Sequence, residues 1–256
     1  MTDRAAVIDT ESRRLAEVLS ATDPERRCPT CPEWTAADLL WHLTEVHLLW
    51  SAVLGLDIRT DADVQRAENA KPARPERLPE LLAPREQATA ALLRELARHD
   101  DAEPRWSWWS PDRTVGFTRR MQTYEATVHR VDAELTAGLP LSPITPEVAA
   151  GAVDHAVDVM WGWPADGAGY HPTAVVELVA SDTGQRWLVE VGTWTAGQDE
   201  SYARAVRATS GEPRATATAT LTDLALWAWT RGGSAHLTGE QDAIDALNVL
   251  VKQGMQ

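Results

Sequence analysis

Two titratable residues one helical turn apart, Glu125 and His129, are the first indication of a chemical site in this sequence. They lie within residues 117–135, where apolar residues recur with the spacing of a helix that packs one face on a core. Residues at positions i and i+4 leave the same face of a helix. We therefore expect a carboxylate and an imidazole side by side at the border of the core, which is two-thirds of a divalent-metal site.

The residue that we expect to complete this site is His42, on a predicted helix that begins near residue 35 and ends near residue 54. It lies on the apolar stripe of that helix, between Leu39 and Val46. A catalytic zinc site has three protein ligands and one open position, and His42, Glu125 and His129 would supply the three.

Each of these residues also has a purely structural interpretation. A histidine on a buried helical face is often a hydrogen-bonded core residue, and Glu125 could instead pair with Arg130 or Arg120. Burying a carboxylate without a partner is costly, and a metal is one natural partner. Asp132 lies one turn beyond His129, so we expect it to orient that imidazole.

The sequence contains two cysteines, Cys28 and Cys31, which are too few for a disulfide framework. A zinc ribbon requires a second pair, and a thioredoxin-type motif requires a preceding strand where this sequence predicts a helix. The interpretation we favour is an inert loop before the second helix. A redox role is the less favoured alternative.

The elements that would position these residues are long helices. Apolar spacing, capping residues and breakers predict helices over 5–21, 35–54, 78–99 and 117–135, and a fifth over 146–161 that would extend the set. Residues 57–79 read as a long connection, and 104–111 as a loop with three tryptophans. Four long helices form a bundle, and facing helices of bundles build metal sites.

The pattern changes to short β segments after residue 164. Residues 174–180 and 187–191 flank a hairpin turn, 215–220 suits a strand, 221–230 a helix, 236–237 an edge strand and 240–251 a closing helix. We therefore predict a two-domain α+β protein, with a helical bundle over residues 1–165 and a small α+β domain over 166–256.

Composition narrows the classes of partner. The chain has 256 residues, 44 % of them hydrophobic, and a formal net charge of −14. The negative charge argues against nucleic-acid binding and against anionic membrane surfaces. No apolar run approaches the ~20 residues of a membrane span, and the N-terminal residues lack the apolar segment of a signal peptide. We expect a cytoplasmic protein without nucleic-acid or membrane partners, as a monomer or a homodimer.

Two segments together resemble a known family. The residues Cys31-Pro-Glu-Trp-Thr-Ala-Ala-Asp-Leu-Leu-Trp-His-Leu43 and Glu125-Ala-Thr-Val-His-Arg-Val-Asp-Ala133 are similar to the two signatures of the mycothiol-dependent maleylpyruvate isomerase family of actinobacteria. The segment Leu221-Thr-Asp-Leu-Ala-Leu-Trp-Ala-Trp-Thr-Arg-Gly-Gly233 resembles the smaller C-terminal domain of that family. The resemblance covers nearly the whole chain in the right order.

The resemblance implies a DinB-type four-helix bundle followed by an α+β domain related to sterol-carrier folds. It implies His42, Glu125 and His129 as ligands of a divalent metal, with zinc favoured, and mycothiol as the thiol cosubstrate. Arg231 matches by motif an arginine that the family uses, and it would bind a carboxylate or polarise a carbonyl. A structural alternative for Arg231 is a favourable charge at the end of a helix.

The expected activity is therefore that of a metal-dependent enzyme that activates a thiol for attack on a small electrophile. The thiolate would add to a double bond and leave again, as in cis–trans isomerisation, or displace a leaving group and stay, as in an S-transferase. Trp106, Trp108, Trp109 and the 57–79 connection are the expected pocket walls. Two alternatives stay open: a non-catalytic bundle that binds a metal or an apolar ligand, and a structural bundle without metal.

Overall fold

The computed structural model describes residues 2–162, 169–196 and 200–254. The contacts divide the chain into two compact units, Met1–Pro143 and Ile144–Gln256. The domain boundary that the sequence predicts, between residues 165 and 166, lies outside the described residues. The predicted α+β class is confirmed, because helices make up the first unit and a sheet with helices makes up the second.

The first unit contains four long helices and one short one. They are α1 (Arg4–Ser20), α2 (Ala36–Gly55), α3 (Asp61–Asn69), α4 (Leu78–Arg98) and α5 (Val115–Ala137). Helices α1 and α2 each pack against both α4 and α5, which closes the four long helices around a shared core. The predicted four-helix arrangement is therefore present, and it places α2 beside α5, the two helices that carry the predicted metal ligands.

Local sequence signals mark the start of both helices and the end of α5. Thr35 caps α2 by accepting a hydrogen bond from the Asp38 amide, while the Asp38 carboxylate accepts one from the Thr35 amide, which completes the expected capping box. Thr114 caps α5 by accepting a hydrogen bond from the Phe117 amide. Gly138 ends α5 with φ 71°, a left-handed conformation that glycine adopts without steric cost.

One prediction for this unit was wrong: the 57–79 connection contains helix α3. This helix buries a single residue, Val64, so the sequence shows no apolar stripe that would have predicted it. Thr60 caps it by accepting a hydrogen bond from the Asp63 amide. Capping and local polar contacts, rather than burial of a face, therefore account for this helix.

The second unit begins with α6 (Pro146–His155), which continues into a π-helical turn over Ala156–Met160. We expected this helix to extend the bundle, but its contacts with α7 place it in the second unit. The remaining elements are β1 (Gly169–Ala180), β2 (Arg186–Ala196), β3 (Glu200–Arg207), β4 (Ala215–Ala219), α7 (Leu221–Ala228), β5 (His236–Gly239) and α8 (Gln241–Gln253).

Within the described residues the strands form one sheet in the order β3-β2-β1-β4-β5. Only the β1–β4 pair is parallel; the other neighbours are antiparallel. The predicted hairpin corresponds to β1 and β2, and β5 lies at an edge as predicted. Strand β3 was not predicted, because its charged sequence lacks a clear apolar alternation. Helix α8 packs against β1, β2 and β3.

In the part of the chain that the structure describes, every helix is too short or too polar to cross a membrane.

Candidate metal centre

The side chains of His42, Glu125 and His129 meet between helices α2 and α5. The Nε2 atoms of both histidines lie 3.2 Å from the same oxygen, Oε1 of Glu125. One ligand atom from each residue lies within 4.8 Å of the other two, and the imidazole centroids are 4.7 Å apart. The three residues singled out from the sequence are therefore brought together, with their donor atoms directed at a common point.

The centre lies at the border of the bundle core, as the position of Glu125 beside the apolar stripe suggested. The side chains of His42 and Glu125 are 30 % and 23 % exposed, whereas that of His129 is 6 % exposed. Two of the three donors are thus accessible from solvent and the third is fixed inside. A ligand set of this kind leaves room for an additional small molecule beside the exposed donors.

Opposite charges hold Glu125 and His129 together. Burial by itself would raise the pKa of Glu125, but the charge of His129 and hydrogen bonds from both imidazoles hold that pKa well below its ordinary value. Burial opposes protonation of His129, but the charge of Glu125 and a hydrogen bond to Asp132 raise its pKa to about 9. Glu125 is therefore an anion in the folded protein, ready to neutralise either a proton or a cation.

Behind His129, Asp132 makes the contact predicted for it. Its Oδ2 atom lies 2.9 Å from Nδ1 of His129, and both side chains are almost fully buried. An ionised carboxylate accepts hydrogen bonds and donates none, so Nδ1 of His129 carries a proton that it donates to Asp132. Nε2 faces Glu125 and, without a metal, donates its own proton to that carboxylate. Asp132 thereby fixes the tautomer in which His129 can bind a metal.

Residues 5–134, half of the chain, match the family model of the mycothiol maleylpyruvate isomerase N-terminal domain. The chain belongs to this family.

Two solved structures of family enzymes share the fold across both units. One is a crystal structure of the mycothiol-dependent maleylpyruvate isomerase carrying a histidine-to-alanine substitution, with 13 % identity and a TM-score of 0.63. The other is a crystal structure of the mycothiol-dependent maleylpyruvate isomerase, with 14 % identity and a TM-score of 0.60. Each comparison covers 93 % of this chain and 93 % of the other. Among curated protein sequences, none matches the chain.

The alternative partners considered for Glu125 are engaged elsewhere in this family member. Arg130 is fully buried and pairs with Glu11 and with Glu134, the latter at 2.7 Å. Arg120 pairs with Asp112. The two arginines are thus paired with other carboxylates, and the partners of Glu125 are His42 and His129 instead.

Trp34 is a part of the centre that sequence reasoning missed. Its ring centroid lies 4.4 Å from that of His42 and 6.1 Å from that of His129. The loop before α2 positions it: the amide of Cys28 donates to the carbonyl of Trp34, and Arg27 and Thr35 form an isolated β-bridge. The only sequence signal was its place in the first family signature, eight residues before His42.

Two histidines outside the three-residue cluster, His47 and His155, make structural contacts. His47 is fully buried, its Nδ1 lies 3.2 Å from the Thr89 hydroxyl, and it also contacts the Arg85 guanidinium. Burial and the Arg85 charge hold the pKa of His47 well below its ordinary value, so it is neutral. In the second unit, His155 stacks on Trp229 with ring centroids 6.0 Å apart.

The predicted pocket walls lie near helix α3 and the start of α5. Trp106 donates a 2.6 Å hydrogen bond to Asp61 and packs against Trp50, with centroids 5.7 Å apart. Trp108 packs edge-on against Phe117, at 5.6 Å. Their role as walls of an electrophile pocket stays a prediction.

Arg231 lies in the second unit, three residues beyond the end of helix α7. It is 2 % exposed, and its Nη1 atom donates a 2.9 Å hydrogen bond to the carbonyl of Trp229. A cation that donates to a carbonyl at the end of a helix is the structural role considered above as the alternative. The contact supports that alternative and leaves a role in substrate binding as a prediction.

Proposed function

We propose that the protein is a metal-dependent enzyme that activates a low-molecular-weight thiol for attack on a small electrophile. The observation that carries the proposal is the convergence of His42, Glu125 and His129 from two neighbouring helices, with Asp132 behind one of them. Membership of the family supports mycothiol as the thiol, since the related solved structures are described as mycothiol-dependent.

The donor set fits a divalent metal. Two imidazole nitrogens and a carboxylate oxygen suit zinc, and they also suit nickel or iron. Asp132 holds a proton of His129 on Nδ1, so that Nε2 is the nitrogen that would bind the metal after losing its own proton to it. When bound, the metal would supply a Lewis acid that lowers the pKa of a coordinated thiol toward neutrality.

Side chains around the centre supply charge, orientation and an apolar surface. Glu125 neutralises charge at the centre, and Asp132 orients His129. Trp34 packs against both imidazoles and covers part of the centre with an apolar surface. Because His42 and Glu125 are partly exposed, a thiol can approach from their side.

Two reactions are compatible with this arrangement. A thiolate that adds to a conjugated cis double bond permits rotation, and its expulsion gives the trans isomer and regenerates the thiolate. A thiolate that displaces a leaving group or opens an epoxide stays on the product. The descriptions of the related structures favour the first reaction, cis–trans isomerisation.

Arg231 is proposed as the residue that binds a carboxylate of the electrophile. Replacing it by Ala should raise KM for a carboxylate substrate and leave metal content unchanged, and Lys should restore only part of the binding, since it lacks the planar fork of arginine. Equal KM values for the wild type and Arg231→Ala would exclude this role and leave the contact with Trp229 as a structural one.

The proposed function is tested first by metal content, measured by mass spectrometry on protein purified without a metal-affinity tag. We expect about one metal per chain in the wild type and a loss in both His42→Ala and Glu125→Ala. His99→Ala is the matched control, because His99 also lies beside two carboxylates, at 2.9 and 4.0 Å, but outside the three-ligand cluster. Absence of metal in the wild type, even after zinc is offered, would rule out the mechanism.

A second measurement separates an enzyme from a binding protein. The rate at which an alkylating reagent consumes mycothiol is recorded against pH, with and without the metal-loaded protein. An enzyme should shift the profile to lower pH, because the bound thiol ionises more readily. A metal-loaded protein that leaves the profile unchanged would support the non-catalytic alternative.

A further inference from the structure

The turn formed by Cys28 and Cys31 packs beside Asp132, directly behind the candidate metal centre. The two Sγ atoms and a carboxylate oxygen of Asp132 lie within 4.8 Å of one another. The amide of Cys31 donates to the carbonyl of Cys28 at 3.3 Å, which closes a four-residue turn. The Cα atoms that such a turn brings together lie within ~7 Å, close to the separation that a disulfide requires.

Thr30, between the two cysteines, connects the turn to the centre. Its hydroxyl donates to Oδ1 of Asp132 and lies 3.3 Å from Sγ of Cys28. The other carboxylate oxygen of Asp132 holds Nδ1 of His129 at 2.9 Å. Two consecutive hydrogen bonds therefore link the cysteine turn to a proposed metal ligand.

The same three groups could be considered as a second metal site. Both carboxylate oxygens of Asp132 are already occupied, one by the Thr30 hydroxyl and the other by His129. A metal held by Cys28, Cys31 and Asp132 would have to share a carboxylate oxygen with one of these hydrogen bonds, whereas a disulfide leaves both oxygens to them. The geometry thus favours chemistry between the two sulfurs over a shared metal.

We propose that Cys28 and Cys31 form a reversible disulfide, and that its formation weakens metal binding at His42, Glu125 and His129 by moving Thr30 away from Asp132. Thr30 is in this account a positioning residue, which acts on the metal through Asp132 and His129. The inference rests on the proposed function, because it concerns the regulation of the same centre.

The oxidant is a small disulfide, a class that accompanies any low-molecular-weight thiol. The Cys28 thiolate attacks one sulfur of the small disulfide, forms a mixed disulfide and releases one thiolate. Cys31 then loses its proton and attacks the Cys28 sulfur, which releases the second thiolate and closes the protein disulfide. Two protein thiols are oxidised, one small disulfide is reduced, and the two released thiolates take up the protons.

The ionisation of Cys28 supports the first step. A hydrogen bond from Cys31 lowers the pKa of Cys28 to about 5, against the opposing effect of burial. The thiolate, rather than the thiol, is the nucleophile in disulfide exchange. Cys28 is fully buried and Cys31 is 4 % exposed, so the reaction requires the turn to open, and we expect it to be slow.

The test compares zinc affinity in the reduced and oxidised protein. Full-length protein is treated with hydroxyethyl disulfide, and peptide mass mapping locates any disulfide. Zinc affinity is then measured by competition with a chromophoric chelator, before oxidation, after it and after re-reduction. We expect a bond between Cys28 and Cys31 and a zinc affinity about 10- to 100-fold weaker, the range typical of groups that orient a metal ligand, with recovery on reduction.

Two variants separate the steps. The double variant Cys28→Ser/Cys31→Ser should bind zinc as tightly as the reduced wild type and should not respond to the oxidant. Thr30→Val keeps both thiols and removes the hydroxyl. It should bind zinc more weakly than the wild type even when reduced, and oxidation should weaken its zinc binding little further. Circular dichroism confirms that each variant is folded.

The outcomes that contradict the inference differ from those that contradict the function. Reduced wild type that binds no zinc overturns both. Zinc binding that is unchanged by a mapped disulfide, or oxidation that stops at a mixed disulfide, overturns the inference alone. Two zinc ions per reduced chain, falling to one in the double cysteine variant, would assign the cysteines to a second metal site instead.

Discussion

Replacing Asp132 by Asn changes the centre by one atom and tests how the buried carboxylate acts. The wild-type carboxylate accepts two hydrogen bonds at once, from the Thr30 hydroxyl at one oxygen and from Nδ1 of His129 at the other. An asparagine amide has a single oxygen and presents donors on its other side. It can satisfy only one of these two donors in the same way.

The expected loss of zinc affinity depends on whether Thr30 or His129 keeps its hydrogen bond to the single oxygen of Asn. If Thr30 keeps it, the amide nitrogen faces Nδ1 of His129 and favours the tautomer with the proton on Nε2, which cannot bind a metal. If His129 keeps it, the tautomer survives but the ligand loses a charged acceptor. Loss of such an orienting group typically costs 10- to 100-fold in metal affinity, or about 1.4–2.7 kcal/mol.

The assay is a zinc titration in competition with a chromophoric chelator, accompanied by urea unfolding of the metal-free protein. Asp112→Asn is the matched control, because Asp112 also accepts a hydrogen bond from a threonine hydroxyl and pairs with an arginine, but does not contact the centre. We expect wild-type affinity in the control. Unchanged zinc affinity in Asp132→Asn, with His42→Ala still abolishing binding, would refute the proposed orienting role.

Three further predictions concern stability and the surroundings of the centre. Glu134→Ala should lower the free energy of unfolding, measured by urea titration, by about 3 kcal/mol, because it leaves the buried Arg130 without one of its carboxylates. The control is Asp9→Ala, which breaks the exposed ion pair with Arg13 on α1 and should cost less than ~1 kcal/mol. Burial would raise the folded pKa of Glu134, but hydrogen bonds from Ser142 and Arg130 lower it. The stabilisation by the Glu134 carboxylate should therefore be present above about pH 4.3 and disappear as pH falls. The free energy of unfolding should consequently fall less steeply with decreasing pH in Glu134→Ala than in the wild type, and equal slopes would contradict this. Trp34→Ala should weaken zinc binding by up to about tenfold, since an aromatic pair contributes about 0.5–1.5 kcal/mol. Trp34→Phe keeps an aromatic ring and should retain most of the wild-type zinc affinity. Equal zinc affinity in Trp34→Ala and the wild type would exclude a role for this ring.

The proximity of the three proposed metal ligands was predictable because their sequence signals are partly local. Glu125 and His129 are related by helical spacing, and Thr114 and Gly138 mark the ends of their helix. His42 could be assigned to the same site only because bundle helices face one another and because its signature resembles a family. From helical spacing alone, His42 could equally have been a hydrogen-bonded core residue.

The surroundings of the centre could not be predicted, because they depend on tertiary contacts between distant segments. Trp34 reaches His129 across 95 positions of sequence, and Thr30 reaches Asp132 across 102. The cysteine turn was interpreted as an inert loop because its sequence carries no second ligand pair. The cysteine turn lies close to α5 because of how the bundle packs, and no local sequence pattern predicts this.

The missed elements have a related explanation. Helix α3 buries only Val64, and strand β3 lies at the edge of the sheet with a charged sequence. Hydrophobic periodicity detects an element through the face that it buries. Elements that bury little are held by caps or by a neighbouring strand, so periodicity does not reveal them.

The proposed link between the cysteine turn and the metal has a reciprocal consequence. If the Cys28–Cys31 disulfide weakens zinc binding by a given factor, zinc must favour the reduced thiols by the same factor, because the two equilibria share one thermodynamic cycle. For a two-electron couple a tenfold change corresponds to ~30 mV, so a 10- to 100-fold effect should raise the reduction potential of the disulfide by about 30–60 mV when zinc is saturating. Redox titration in a series of thiol–disulfide buffers, with and without zinc, measures this shift directly. Glu125→Ala provides the control, since zinc should not move the potential where the centre cannot hold it; a shift of the same size in that variant would mean that zinc acts on the sulfurs themselves.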